Sequence, residues 1–141
     1  MKPTKQQVGK HSELQVASEL IRLGLHVYFP FVDERGVDFV IGVETEKGLK
    51  YYDVQIKSIK SYNLVLGLPK DRVREKGANY IVIVHFRHDD KPDEYIYFTR
   101  EQLLQLLPED AEWGDFPLKK ADRERFKHQD LKHLAKWIAP N

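Results

Sequence analysis

The sequence predicts a mixed α/β (α+β) domain in which one mixed β-sheet is flanked by helices. Three observations carry this. An amphipathic helical stretch opens the chain, branched and aromatic runs separated by turn residues follow, and further helical stretches are interposed and appended. The resulting order is helix, consecutive strands, helix, strands, helix, which suits a sheet covered by helices better than a strict βαβ repeat. With 141 residues and about 100–200 residues per domain, the expectation is a single domain over 1–141. Its core spans about 5–107, and a C-terminal helical extension covers about 118–139.

Thr4 is the expected N-cap of the first helix, its hydroxyl accepting from a free backbone amide, and Gly24 is the expected stop. Leu14, Ala17, Leu20, Ile21 and Leu23 recur at helical spacing and predict the docking face. Leu25–Pro30 predicts a strand closed by proline, Asp33–Gly36 a turn, and Val37–Ile41 a second strand. Glu44–Gly48 supplies hairpin chemistry ahead of a third strand at Lys50–Ile59. A short strand at Asn63–Leu66 and a charged helix at Lys70–Gly77 come next. Tyr80–Phe86 is the most apolar run and predicts a central strand buried on both sides, with Glu94–Phe98 as its hairpin partner. Thr99 and Gln102 form a capping box for a helix at Arg100–Leu107. Pro108–Pro117 reads as an acidic loop, and Leu118–Ile138 as one long last helix.

Composition removes several classes of function. The chain carries 41% hydrophobic residues, enough for a core. Its 23 Lys+Arg against 22 Asp+Glu leave a net charge of +1, so nucleic-acid binding has to come from local patches. The absence of cysteine excludes disulfides, Cys-ligated zinc, iron–sulfur clusters and a thiol nucleophile. No apolar run reaches the roughly 18 residues of a membrane span, and the start, MKPTKQQVGK, lacks a signal-peptide core. A soluble, cytoplasmic protein without a membrane partner is expected. Neither a phosphate-binding glycine loop nor a nucleophile elbow is present. The six histidines show no zinc spacing beyond His128 and His133, and His85 reads as a satisfied core histidine.

Three features carry candidate chemistry. Glu13 lies four residues before Ala17 and seven before Leu20, hence toward the sheet, where an ionised carboxylate needs a partner. A glutamate reaching back to solvent is the alternative. Asp38 interrupts a branched strand, GVDFV, and aspartate is a poor strand former unless its oxygens are used or it guards an edge. In YYDVQIKS, Asp53, Gln55 and Lys57 alternate with Val54 and Ile56, so the polar set shares one face; a half-solvated strand has the same pattern. Together these residues bring carboxylates, an amide oxygen and a lysine to one sheet. That is a set suited to a hard cation such as Mg²⁺ and to phosphodiester hydrolysis. A purely structural reading, in which Glu13 and Lys57 form a buried ion pair, stays open.

Gly9-x-x-x-Glu13 on an opening helix, Gly36-Val37-Asp38, and Gln55-Ile56-Lys57-Ser58 after a hairpin resemble the PD-(D/E)XK nuclease superfamily. The likeness is greatest to members with Gln-x-Lys in the third motif, an intron-encoded homing endonuclease branch among them, and archaeal Holliday-junction resolvases share the plan. It covers about residues 9–58 and, more loosely, the chain up to Phe86. The resemblance implies a restriction-endonuclease-like fold and a metal-dependent DNA endonuclease using Mg²⁺ or Mn²⁺. Asp38 would be the central metal ligand, with Gln55, the Ile56 carbonyl and Glu13 as further metal-site oxygens. Lys57 would position the attacking water. Val37 stands where the family's proline would be, and the neutral Gln55 stands where a second acidic ligand usually sits. That substitution leaves a catalytically silent nucleic-acid-binding or regulatory module as the alternative.

Lys60, Lys70, Arg72 and Arg74 follow the third motif and are the candidate DNA contacts. The last helix is also basic, though its Phe126, Leu131, Leu134, Trp137 and Ile138 can dock on the core or on a second subunit. Residues 89–115 are acidic and are expected to face away from DNA. Tyr51, Tyr52, Tyr95 and Tyr97 are expected as cross-strand core pairs rather than base-stacking groups. A homo-oligomer, dimer or tetramer, is compatible with a small nuclease that cuts both strands.

Overall fold

A computed structural model describes residues 1–32, 36–62, 65–107 and 115–140. Helix α1 (Lys5–Arg22) starts at the expected cap. The Thr4 hydroxyl accepts from the Gln7 amide at 3.2 Å, and the Gln7 side chain accepts from the Thr4 amide at 2.8 Å. Gly24, at φ 95°, turns the chain out of the helix in the left-handed region that glycine tolerates best. Five strands follow: β1 (His26–Tyr28), β2 (Phe39–Thr45), β3 (Gly48–Lys60), β4 (Val65–Pro69) and, after helix α2 (Lys70–Glu75), β5 (Tyr80–Arg87). Then come β6 (Glu94–Thr99), α3 (Arg100–Leu106), β7 (Asp115–Pro117), α4 (Lys120–Phe126) and α5 (Leu131–Ile138).

The main sheet has the order β1-β2-β3-β5-β6, and β4 pairs with β7 in a separate two-stranded sheet. Only β3 and β5 pair in parallel, with Gln55 opposite Val82 and Lys57 opposite Val84; the other neighbours are antiparallel. A parallel pair needs a crossover, and β4 with α2 supplies it. Asn79 anchors the start of this pair: its carbonyl accepts from Asp53 and its side chain donates to the Tyr51 carbonyl.

Two cores lie on the two faces. Val16, Ala17 and Leu20 of α1 and Leu131, Leu134 and Ile138 of α5 pack on Phe39, Ile41, Val54 and Ile56. On the other face Leu66, Val73, Leu103, Phe116 and Phe126 pack on Val82, Val84, Phe86 and Phe98. Residues 80–86 are buried on both sides as expected, although β3 rather than β5 is the middle strand.

Several expectations are corrected. The last helix is two helices, because Asp130 caps α5 by accepting from the His133 amide, and Gln129 intervenes. Buried Gln129 takes its place along β6: its carbonyl accepts from the Tyr97 amide, and its side chain donates to the Tyr97 carbonyl and exchanges bonds with Gln102. The C-terminal segment thereby covers both the exposed edge and both faces of the sheet instead of extending from it. Within the expected loop Pro108–Pro117, residues 115–117 form β7; the rest lies outside the described residues, as do Asn63, Leu64 and most of the turn Asp33–Gly36. The fourth strand is accordingly Val65–Pro69 and α2 ends at Glu75. Arg100 caps that short helix, donating to the carbonyls of Val73 and Arg74. Leu14 and Ile21 are half exposed because α1 rests on the line Ser12–Val16–Leu20. Tyr51 is also exposed rather than a core residue, whereas Tyr52 and Tyr97 are buried.

His85 is a core histidine with two partners. Ser12 Oγ lies 2.7 Å from Nδ1, and Asp93 Oδ2 lies 2.7 Å from Nε2. A carboxylate only accepts, so Nε2 carries the proton and Nδ1 accepts from the Ser12 hydroxyl. Burial depresses the His85 pKa despite Asp93, so the ring is neutral in the fold and must charge on unfolding in acid. This contribution to stability is present above the unfolded histidine value of about 6.5 and is lost as pH falls below it. The three residue types match a hydrolytic triad, but the Ser12 side chain is sealed under α1 and ties the helix to the sheet. Ser12→Ala leaves Nδ1 unpartnered and is expected to lower stability by about 1–3 kcal/mol in urea unfolding. An unchanged midpoint would show that the bond does not matter.

Candidate active site

The site forms where β2 parts from β3. Asp38 is not inside the second strand, as the sequence suggested, but at a bend just before it. Its backbone amide still donates to the Val54 carbonyl at 2.8 Å. Two residues further along β3 a side chain takes the place of the backbone bond: Ile56 N donates to Asp38 Oδ2 at 2.7 Å. Ladder bonds lie in the plane of the sheet, so this bond holds the carboxylate in that plane, open to groups from either face. Gly36, at φ 79°, makes the turn that lets the chain do this.

From one face comes α1. Glu13 is largely covered, sits beside the buried line of the helix, and accepts from Lys10 Nζ at 2.8 Å. From the strand comes Lys57. Burial pushes the Asp38 carboxyl up to about 6, the Glu13 carboxylate adds in the same direction, and the Ile56 amide and Lys57 oppose it. The structure therefore brings Glu13, Asp38, Lys57 and the backbone of Ile56 within one another's electrostatic reach.

Gln55 is buried in β3, between Val54, whose carbonyl accepts from the Asp38 amide, and Ile56, whose amide donates to the Asp38 side chain. Its Oε1 accepts from the Tyr80 hydroxyl at 2.5 Å. Tyr80, on the parallel strand, is the functional neighbour that sequence reasoning missed; no local pattern announces a partner 25 residues away across a parallel pair. Burial raises the Tyr80 pKa further above its ordinary value, so its hydroxyl is a donor at all ordinary pH. A carbonyl oxygen has a second lone pair, so the bond to Tyr80 orients Gln55 without exhausting it.

Of the four candidate DNA contacts, Arg72 comes to this site. Its Cδ passes so close over Gly36 that a Cβ there would sit 2.6 Å from it, and the same Cβ would be 3.4 Å from Gln55 Oε1. Among the described residues, Arg72 Nε is buried without a hydrogen-bond partner. Lys70 opens α2, Arg74 pairs with Asp71 at 3.1 Å, and Lys60 lies over the Tyr62 ring.

Among the described residues no group of three or more His, Asp or Glu side chains is placed to hold a metal ion. The donors at hand are two carboxylates, the Gln55 amide oxygen and the Ile56 carbonyl, which faces the same strand edge as the Ile56 amide. One or two carboxylates with neutral oxygens and waters are an adequate set for Mg²⁺, so the residues fit a hard cation held loosely.

A five-stranded mixed sheet between helices, entered by a helix that delivers a carboxylate to the parted strands, defines a restriction-endonuclease-like fold. The chain resembles in particular the solved structure of Hjc, a Holliday junction resolvase from the archaeal hyperthermophile Archaeoglobus fulgidus. The TM-score is 0.52 at 17% identity, over 86% of this chain and 98% of that one. No family model and no curated protein sequence matches. Among the described residues, no helix is long and apolar enough to cross a membrane.

Proposed function

We propose that the protein is a divalent-metal-dependent endonuclease of the PD-(D/E)XK type that hydrolyses DNA phosphodiester bonds. The observation that carries this is the Asp38 carboxylate. It is pinned at the parted strands by the Ile56 amide, and burial and Glu13 push its pKa up to about 6. Two crowded carboxylates in a half-buried pocket are a poor arrangement for stability and a good one for a cation. The resolvase activity named for the structural neighbour supports the same reading.

Glu13, Asp38, Gln55 Oε1 and the Ile56 carbonyl are the oxygens that would hold Mg²⁺ or Mn²⁺. When bound, the cation supplies Lewis-acid stabilisation of the charge that builds on the phosphate. Lys57 orients the attacking water and offsets that charge. The Arg72 guanidinium, carried over Gly36, offsets the charge of a phosphate and so anchors the strand. Tyr80 keeps Gln55 turned into the pocket. One chain carries one such site, so the form that cuts both strands is a dimer or larger assembly.

The second reading, a silent DNA-binding or regulatory module, rests on neutral Gln55, whose oxygen already accepts from Tyr80. A cleavage assay on supercoiled, linear and junction DNA with Mg²⁺ or Mn²⁺ separates the two. Calorimetric titration with Mn²⁺ gives a second measurement. Binding requires Asp38 to lose its proton, so affinity is expected to be flat above about pH 6, where Asp38 is ionised, and to fall by about tenfold per pH unit below it. No heat at pH 7.5 and no cleavage favour the silent module.

A further inference from the structure

Among the described residues, no hydrophobic core covers one face of the half of the sheet nearest Asp38. The core that lies under α2, α3 and α4 draws on β3, β5 and β6 and includes no residue of β1 or β2. What this open half presents is aromatic. In the register His26 faces Gly42 and Gly42 faces Tyr51, while Tyr28 faces Val40 in the next row. Strand alternation puts His26, Tyr28, Val40, Gly42 and Tyr51 on the same side as Gln55.

Both rings reach toward Gly42. A Cβ there would lie 2.8 Å from Tyr28 Cε2 and 3.4 Å from Tyr51 Cε1, so the missing side chain makes room for both rings over the strand. Tyr28 and Tyr51 nevertheless keep 55% and 49% of their surface exposed. Two aromatic side chains that flank one backbone position and stay half in solvent present π-surface to a flat ligand. Asp53, exposed beside Val40, disfavours a phosphate at this spot and leaves the rings to a neutral group.

We propose that Tyr28 and Tyr51, flanking Gly42, form a stacking platform for an unpaired base of the strand whose phosphate reaches Asp38. The substrate is then DNA carrying unpaired nucleotides within about four positions of the scissile bond. Asp38, at the bend before β2, is four positions from Gly42, at most about 13 Å at 3.3 Å per residue, or about four stacked nucleotides at 3.4 Å each. Bases within a duplex hide their faces in the stack, whereas an unpaired base offers one to an aromatic ring. The inference rests on the nuclease reading for the position of the phosphate, and adds to it the form of DNA.

The test is binding without metal, which leaves cleavage aside. A duplex with a short single-stranded gap containing 2-aminopurine is titrated with the full chain and compared with the same sequence fully paired. Wild type is expected to prefer the gapped DNA and to quench the 2-aminopurine. Tyr28→Ala with Tyr51→Ala is expected to weaken gapped binding by about tenfold or more while leaving duplex binding within about twofold. Tyr28→Phe with Tyr51→Phe, which keeps the rings, is expected to bind like wild type. Circular dichroism checks folding, and should the double alanine variant unfold, Gly42→Val, which crowds the rings without adding a stacking surface, and each single alanine replace it. Equal loss on both DNAs, no loss, or no preference by wild type overturns the platform. So does a fall in oligomeric state in the alanine variant, which would mean that a second copy covers this face. Cleavage that fails while gapped binding persists overturns the nuclease and leaves the platform standing.

Discussion

Asp38→Asn is expected to abolish cleavage and at the same time make the metal-free protein more stable. Asparagine keeps an oxygen for the Ile56 amide but removes the charge that burial and Glu13 oppose. Loss of one transition-state electrostatic contact lowers turnover by roughly 10²–10³-fold, and loss of the central cation ligand adds to that. The stability gain follows from linkage. A carboxyl whose folded pKa is about 6 against an ordinary 3.8 binds its proton more tightly in the fold. The native state is therefore penalised where the group must be ionised, fully above about pH 6 and not at all below about pH 4. Discounted for the solvent that reaches this pocket, the penalty at pH 7.5 is roughly 1–3 kcal/mol. That is a rise of a few degrees in Tm for the asparagine variant. Thermal unfolding at pH 4, 5, 6 and 7.5 checks it: the gap between variant and wild type should close as the pH falls. A gap that persists at pH 4 would show that the charge is not its cause. Saturating Mg²⁺ should stabilise wild type and not the variant.

Lys57→Ala has the second large effect. Turnover is expected to fall by roughly 10²–10³-fold, with Mn²⁺ still bound at pH 7.5. The variant should also shift the pH below which metal binding is lost. Lys57 lowers the Asp38 pKa, so without it Asp38 holds its proton longer and the threshold moves to higher pH. A residue with only a packing role would leave that threshold in place. Arginine is not expected to rescue cleavage, because its planar, bulkier fork does not replace a compact ammonium against a water. Retained cleavage in Lys57→Ala would remove the lysine from the mechanism.

What could be read from the chain, and what could not, follows the range of the interactions concerned. The caps at Thr4 and Thr99, the stop at Gly24, the β2–β3 hairpin and the apolar strand at Tyr80–Phe86 are local, governed by neighbours within a few residues. They stood in the sequence. So did the alternation that sets Gln55 and Lys57 on one side of β3. The break between α4 and α5 was missed because basic and apolar residues continue through it at helical spacing. What ends the helix is the bonding of Gln129 to Tyr97 and Gln102, far away in the chain.

The order of the strands, and above all the parallel pairing of β3 with β5, was decided by packing alone. That pairing delivers Tyr80 to Gln55 and the crossover delivers Arg72 over Gly36, so neither placement has a local sequence signature, although Arg72 itself was a candidate. The residue types for chemistry were thus determined by the sequence itself. Their protonation, orientation and partners came from the tertiary structure, because desolvation and backbone hydrogen bonds at the parted strands exist only once the sheet has formed.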